Sequence, residues 1–328
     1  MKRYGWLLGC CLFLSIGMLW AADEPDLRML QQKAAQSRDM EGYVGVCKYL
    51  YQTEENPELL LLYADSIHQL ATKSKKPEQL VEYYIWASEG NFIKGDFQQG
   101  YALKRKAIAL AEKAGLKFAI SQSCCDMGYY CNVDARYDSA RYYFRKGLEA
   151  GEDLSEAGEA CRTMLTNYAS SFLFEGKTDS ALVYTIRASE RSAADKDTAM
   201  LIENLNQLGT IYRRKKNLEN CIANFEQALH LCELRGNHNA VAFIYGNIAT
   251  AYCDWNRPVD AIPFSEKAVE YALKTGNKRR IGTCYVNLGA IQIRLVQMRA
   301  EGIATLLKAI PILEEVNDRR LLCDAYNY

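Results

Sequence analysis

The sequence is poor in proline and histidine. Six prolines and three histidines occur in 328 residues, and no two histidines stand at the spacing of a paired metal ligand. Long alternating runs of β-branched residues are also missing, which argues against a sheet. The chain has no glycine-rich phosphate loop, no G-x-S-x-G turn and no H-E-x-x-H motif. These absences favour a helical protein that is not an enzyme and needs no cofactor.

The chain also lacks net charge. Forty basic side chains balance forty acidic ones, so the formal net charge is zero. An excess of basic residues is what draws proteins to nucleic acid or to an anionic membrane surface. We therefore expect no nucleic-acid partner, and membrane contact only through the N-terminal segment or through a span beyond residue 328.

Cysteines are present, but not in pairs. None of the twelve cysteines forms a C-x-x-C motif. Cys124 and Cys131 share one face of a predicted helix, where their backbones would lie about 10 Å apart, too far for a disulfide. Cys221 occupies the position held by Ala181 and Ala261 in neighbouring units. The sequence therefore predicts free thiols that act as small apolar side chains, with their redox state left open.

The N-terminus has the layout of a secretory signal. Met1-Lys2-Arg3 is basic, the seventeen residues from Tyr4 to Trp20 carry no charge, and Ala21-Ala22 precede the first acidic residue. This order predicts a signal peptide at residues 1–22, cleaved after Ala21 or Ala22, and an exported protein of the periplasm or cell envelope. The alternative is an uncleaved anchor in the inner membrane, because this apolar run is near the short end of a spanning helix.

A helical hairpin pattern dominates the rest of the chain. In the stretch 201–237, apolar and small residues recur at three- and four-residue spacing on both sides of a short polar turn. They are Leu205, Leu208, Gly209 and Tyr212 before the turn, and Cys221, Phe225 and Ala228 after it. This spacing predicts two amphipathic helices that pack against each other.

The hairpin recurs with an even period. Ala169, Gly209, Ala249 and Gly289 hold the same position and are spaced by 40 residues. From about residue 79 onward the pattern resembles the tetratricopeptide repeat in a 40-residue variant. The resemblance implies an all-α fold, a right-handed α-solenoid of helix-turn-helix hairpins, whose first helices line a concave groove.

The pattern also indicates the organisation of the chain. A helical segment is predicted at 23–76, a repeat array at 77–320, and the start of a further repeat at 321–328. The repeats are predicted near 80–115, 121–155, 162–196, 202–236, 242–276 and 282–317. The apolar residues of the last segment have nothing to cover them, so we expect the complete protein to continue beyond it.

In the first helix of each hairpin, one position carries a carboxamide in successive repeats. It lies two residues before the alanine or glycine that recurs every 40 residues. The residues are Asn167, Gln207, Asn247, Asn287 and Asn327, and Asp126 takes the position one repeat earlier. The resemblance implies a role for them, because peptide-binding members of the family use this asparagine to pair with the backbone of an extended peptide. Asparagine at this position can also stabilise the neighbouring helix, and the two roles are compatible.

Further candidates for ligand contact in the groove lie one helical turn from the carboxamide position. Thr250 and Tyr129 are among them. Arg213 and Arg214, together with Arg294, would receive an acidic ligand, or else form a solvated face.

The resemblance extends to the exported sensor part of bacterial signalling proteins. It implies a protein or peptide partner in the groove of an extracytoplasmic sensing region. The alternative is an exported or membrane-tethered assembly scaffold with no output domain.

If the signal-peptide prediction is correct, the intact mass of the exported protein corresponds to a chain that begins at Ala22 or Asp23. The reason is that signal peptidase cleaves after small residues that follow the apolar segment. Mass spectrometry of protein recovered from the cell envelope measures this directly. A mass that still includes the residues from Met1 to Ala21 would identify an uncleaved anchor.

Overall fold

The computed structural model describes residues 27–53 and 56–328. All regular structure within these ranges is helical, and no strand occurs in them. The predicted all-α fold of helix hairpins is therefore confirmed. None of the described helices has both the length and the apolar character needed to cross a bilayer. The predicted signal peptide lies outside the described residues.

The helices belong to two compact units, of which the first ends at Lys177 and the second comprises Thr178–Tyr328. The first unit contains α1 (Leu27–Ser37), α2 (Met40–Thr53), α3 (Pro57–Ser74), α4 (Pro77–Lys94), α5 (Phe97–Ala114), α6 (Lys117–Val133), α7 (Tyr137–Gly151) and α8 (Gly158–Phe174). The second contains α9 (Thr178–Ala194), α10 (Thr198–Arg214), α11 (Leu218–Leu234), α12 (His238–Asp254), α13 (Pro258–Thr275), α14 (Lys278–Ile293), α15 (Arg299–Glu315) and α16 (Arg319–Asn327). Short 3-10 turns precede α8 and α15.

Within each unit, helices that follow each other in the chain pack against each other. In the first unit this order already holds for α1, α2 and α3, whose sequences do not show the repeat pattern. In the second unit α10 packs on α11, α12 on α13, and α14 on α15. Each of these pairs is a hairpin of a first and a second helix.

Small residues on the first helices make room for large side chains of the second helices. Phe225 of α11 is fully buried, and its ring lies over Gly209 of α10. A Cβ atom added at Gly209 would lie 2.5 Å from Cε1 of Phe225. Phe144 of α7 lies over Gly128 of α6 in the same way. The small residue predicted from the sequence therefore serves the close packing of a ring against a helix.

Gly-Asn pairs set the boundaries of two first helices in the second unit. Gly236 and Gly276 have φ values of 64° and 65°, the left-handed conformation that ends a helix. The side chains of Asn237 and Asn277 then accept a hydrogen bond from the backbone N–H three residues later, at 3.0 and 2.9 Å. The pair thus ends one helix and caps the next.

The described cysteines are all free thiols. Cys221, which replaces an alanine of neighbouring repeats, is fully buried in α11. Burial raises the pKa of its thiol to about 11, so the thiol stays protonated at neutral pH. Among the described cysteines Cys323 of α16 is the exposed one. The buried thiols therefore act as packing groups, as the repeat pattern predicts.

The substitution Gly209→Ala is expected to lower the free energy of unfolding by about 1–3 kcal/mol, because the new methyl group overlaps the Phe225 ring. Gly246→Ala in α12 is the matched control, since no atom lies within 4 Å of a Cβ added there. That control should gain about 0.5–1 kcal/mol from helix propensity. Urea unfolding followed by circular dichroism measures both. Equal effects of the two substitutions would contradict the packing role of Gly209.

Candidate functional site

The first helices of the second unit lie next to one another. Helix α10 contacts α12, α12 contacts α14, and α14 contacts α16. These four helices carry the carboxamides Gln207, Asn247, Asn287 and Asn327 at equivalent positions. We call the side of these helices that carries them the carboxamide face. It is the part of this unit in which the sequence predicts the groove.

The four carboxamides differ in exposure. Gln207 is 8% exposed, and its Oε1 accepts a hydrogen bond from the Thr185 hydroxyl of α9 at 3.1 Å. Asn247 is half-buried, whereas Asn287 and Asn327 are exposed. Neither of these exposed amides has a hydrogen bond to the described residues. Access to the row therefore increases from α10 to α14.

Asn247 links two first helices. Its Nδ2 donates a hydrogen bond to Oδ1 of Asn206 in α10 at 2.7 Å, and Asn206 is 9% exposed. This bond is the helix-stabilising role that the sequence leaves open beside ligand binding. Oδ1 of Asn247 makes no hydrogen bond within the described part of the chain, so it can still accept one from a ligand N–H.

The charged candidates lie at the C-terminal ends of α10 and α12. The Arg213 guanidinium pairs with Asp254, with 3.6 Å between Nε and Oδ2. Arg214 is exposed. Thr250 is also exposed, and its hydroxyl donates to the carbonyl of Gly246 at 2.8 Å. Because Asp254 offsets the charge of Arg213, this pair offers an acidic ligand less positive charge than the sequence alone indicates.

The fifth carboxamide, Asn167, belongs to the first unit. It lies on α8, is 8% exposed, and its backbone carbonyl accepts a hydrogen bond from Nδ2 of Asn132 in α6 at 2.9 Å. The structure therefore brings four of the five predicted carboxamides together in one unit and leaves Asn167 in the other.

Glu203 is a further candidate that the repeat pattern does not indicate. This residue precedes Gln207 by one turn of α10, is half-buried, and has no hydrogen bond or ion pair to the described residues. Burial, and to a lesser extent the charge of Asp197, raise the pKa of the Glu203 carboxyl to about 7. The four-residue spacing from Gln207 is the one signal that could have identified it.

The carboxamide face offers hydrogen-bonding groups rather than reactive ones. In the described ranges, no group of three histidine, cysteine or acidic side chains could hold a metal ion. Burial raises the pKa of Cys253 and, to about 11, that of Cys284, which keeps both thiols protonated and poorly nucleophilic. The groups that this face presents are therefore amides, hydroxyls and protonated thiols.

The free energy of unfolding should depend on pH through Glu203. Because the folded-state pKa is raised above the ordinary value of 4.5, stability from this residue is full below pH 4.5 and is lost as the pH rises through 7. Glu203→Gln removes the ionisation, so at pH 8 the variant should be more stable than the wild type by about 1–3 kcal/mol. At pH 4 the two should differ little.

Urea unfolding at both pH values measures this difference. Glu226→Gln, at an exposed position of α11, is the matched control and should follow the wild-type pH profile. Parallel profiles for Glu203→Gln and the wild type would show that Glu203 is well solvated in the folded protein.

Solved structures of similar fold include the following three. The apo form of RapI has a TM-score of 0.65 and 11% sequence identity, and the match covers 92% of this chain and 88% of RapI. The apo form of the quorum sensor NprR from B. thuringiensis has a TM-score of 0.58 and 16% identity, with 91% and 85% covered. A signal transduction ATPase with a tetratricopeptide repeat sensor from Pyrococcus horikoshii has a TM-score of 0.57 and 16% identity, with 93% and 49% covered.

Comparison of the sequence with known proteins matches a shorter part of the chain than comparison of the structure does. No curated protein matches the chain. Residues 200–274, which contain most of α10, all of α11 and α12, and most of α13, match the tetratricopeptide repeat family. Residues 200–274 therefore contain tetratricopeptide repeats, and the described part of the chain folds as a series of helix hairpins.

Proposed function

We propose that this protein binds an extended segment of another protein, or a peptide, on the carboxamide face. The observation that carries this proposal is the row itself, in which Asn287 and Asn327 are exposed without hydrogen bonds to the described residues. Asn247 keeps an unbonded Oδ1 in the same row. An extended peptide presents N–H and C=O groups along its length, and a carboxamide can pair with both.

The carboxamides alone would give only weak binding. Three net hydrogen bonds contribute about 1.5–4.5 kcal/mol, whereas micromolar affinity needs about 8 kcal/mol. Side-chain contacts must supply the remainder. Candidates on the same helices are the half-buried Phe243, the exposed Thr250 and the pair of Arg213 with Asp254.

We further propose that the protein is the extracytoplasmic sensing or interaction region of a bacterial signal-transduction protein. The predicted signal peptide at residues 1–22 supports a place in the periplasm or cell envelope. Two proteins of similar fold support a sensing role, since one is a quorum sensor and the other a signal transduction ATPase with a tetratricopeptide repeat sensor. The alternative is an exported or membrane-tethered scaffold with no output domain.

The C-terminus of the native protein distinguishes these two roles. Intact mass and terminal peptides can be compared with the reading frame beyond Tyr328. A chain that continues into a membrane span and a cytoplasmic domain supports the sensor. A chain that ends after one more helix supports the scaffold.

Selection from a phage-displayed library of random twelve-residue peptides on the immobilised protein tests the binding proposal. We expect one consensus sequence to be enriched, and its fluorescent synthetic form to bind in an anisotropy titration. Asn247→Ala combined with Asn287→Ala should raise the Kd about tenfold or more, because two ligand hydrogen bonds are lost. Circular dichroism should show unchanged helicity.

Two control variants separate ligand contact from helix packing. Gln227→Ala removes an exposed carboxamide from α11, a second helix, and should leave the Kd unchanged. Asn206→Ala removes the bond to Asn247 but no exposed group, so it should lower stability with little change in Kd. If no consensus peptide is enriched, or if the double variant binds as the wild type does, the carboxamide face is not the binding site.

A further inference from the structure

The first unit contains a buried ion network that the carboxamide face does not use. Lys104 of α5 is fully buried, and its Nζ donates hydrogen bonds to Glu89 of α4 and, at 3.0 Å, to Oδ2 of Asp126 in α6. Glu89 is 2% exposed, and its second oxygen accepts a hydrogen bond from the Tyr130 hydroxyl at 2.7 Å. One ammonium group thus joins three helices.

The network has more negative than positive charge. Both oxygens of Glu89 act as hydrogen-bond acceptors, which is the pattern of an ionised carboxylate. Burial opposes the charge on Lys104, but attraction to Asp126 and Glu89 outweighs it and raises its pKa. Burial raises the pKa of Glu89; Lys104 opposes this shift, and the negative charge of Asp126 adds to it. When both carboxyl groups are ionised, the cluster carries one negative charge more than Lys104 offsets.

Asp126 is where this network reaches solvent. Its side chain is 24% exposed, and only Oδ2 is bonded to Lys104. Oδ1 has no hydrogen bond to any described residue. Asp126 holds the repeat position that is asparagine at Asn167, Asn247 and Asn287. The first unit thus offers a charged acceptor where other repeats offer a neutral amide.

Tyrosine rings lie beside this acceptor. Tyr51 of α2 is half-buried, with its ring centroid 6.3 Å from that of Trp86 in α4. The ring of Tyr129 in α6 lies 5.3 Å from that of Tyr130. The charges of Glu89, and then burial and Asp126, raise the pKa of Tyr51, although its hydroxyl has no hydrogen bond to the described residues. The Tyr51 hydroxyl therefore experiences the charge of both carboxylates and makes no hydrogen bond to either.

We propose that Asp126, Glu89, Tyr51 and Tyr129 form a subsite for the ammonium or guanidinium group of a lysine or arginine side chain in a bound polypeptide. The cation donates hydrogen bonds to Oδ1 of Asp126 and to the Tyr51 hydroxyl, and contacts the electron-rich faces of the tyrosine rings. It supplies the positive charge that the two carboxylates lack. Asp126 and the two tyrosines reach solvent whereas Glu89 is buried, so the cation of an approaching side chain meets Asp126 and the tyrosines first.

This subsite lies wholly in the first unit, so it does not depend on the carboxamide face of the second. A fluorescein-labelled tetralysine peptide is the probe, and the same peptide acetylated on every Nζ is its uncharged counterpart. In an anisotropy titration of the full chain, acetylation should weaken binding at least tenfold. Asp126→Asn, which installs the amide of the other repeats, should also weaken tetralysine binding by about tenfold or more.

The control Glu149→Gln removes one negative charge from an exposed position of α7 and should leave tetralysine binding unchanged. Because Asp126→Asn also removes a partner of Lys104, Tyr51→Leu serves as a second variant at the edge of the cluster. It should weaken binding at least threefold while thermal unfolding stays cooperative.

Equal tetralysine affinity for the wild type, Asp126→Asn and Tyr51→Leu, all folded, would overturn the proposal and leave the network with a purely structural role. An equal loss with Glu149→Gln would show nonspecific attraction and would overturn it as well. The double variant Asn247→Ala, Asn287→Ala should bind tetralysine as the wild type does, so failure of one proposal is distinguishable from failure of the other.

Discussion

The contact between a small residue of a first helix and a large side chain of the following second helix underlies the rest of the structure. Phe225 occupies the space above Gly209, and Leu306 of α15 lies as close to Gly289 of α14. Such contacts bring the two helices of a hairpin together and determine which side of the first helix faces its partner. The opposite side, which carries the carboxamides, is thereby left for polar residues. The repeated packing contact thus places the candidate binding groups, although it contains none of them.

Because this packing contact recurs at a fixed position, other positions of the first helix can vary in chemistry from repeat to repeat. The position two residues before the small residue shows this clearly. It is a partly exposed carboxylate at Asp126, a nearly buried amide at Gln207 and an exposed amide at Asn287. The same backbone geometry therefore presents charge in one repeat and neutral hydrogen-bonding groups in another. In a repeat scaffold such differences decide which ligand groups each step of the array can accept.

Buried polar groups show how these positions depend on other helices. Lys104 tolerates complete burial because Glu89 and Asp126, on two different helices, surround its ammonium. Glu203 has no such partner, and its pKa is raised to about 7 by burial and by Asp197. The first arrangement joins helices through charge, whereas the second leaves a carboxyl that changes charge near neutral pH. Both lie on or beside first helices, at positions where the repeat pattern alone does not distinguish them from solvated residues.

The sequence by itself determined the all-α class, the hairpins and their 40-residue period, because helical spacing and Gly-Asn boundaries act between residues close in the chain. Only the tertiary structure decided which carboxamides are accessible. Gln207 is buried against Thr185, and Asn247 is bonded to Asn206 on another helix. Burial and hydrogen bonding between separate helices depend on distances in space. A single sequence does not reveal those distances. The Lys104 network required the structure for the same reason, since its charges meet only after three helices have packed.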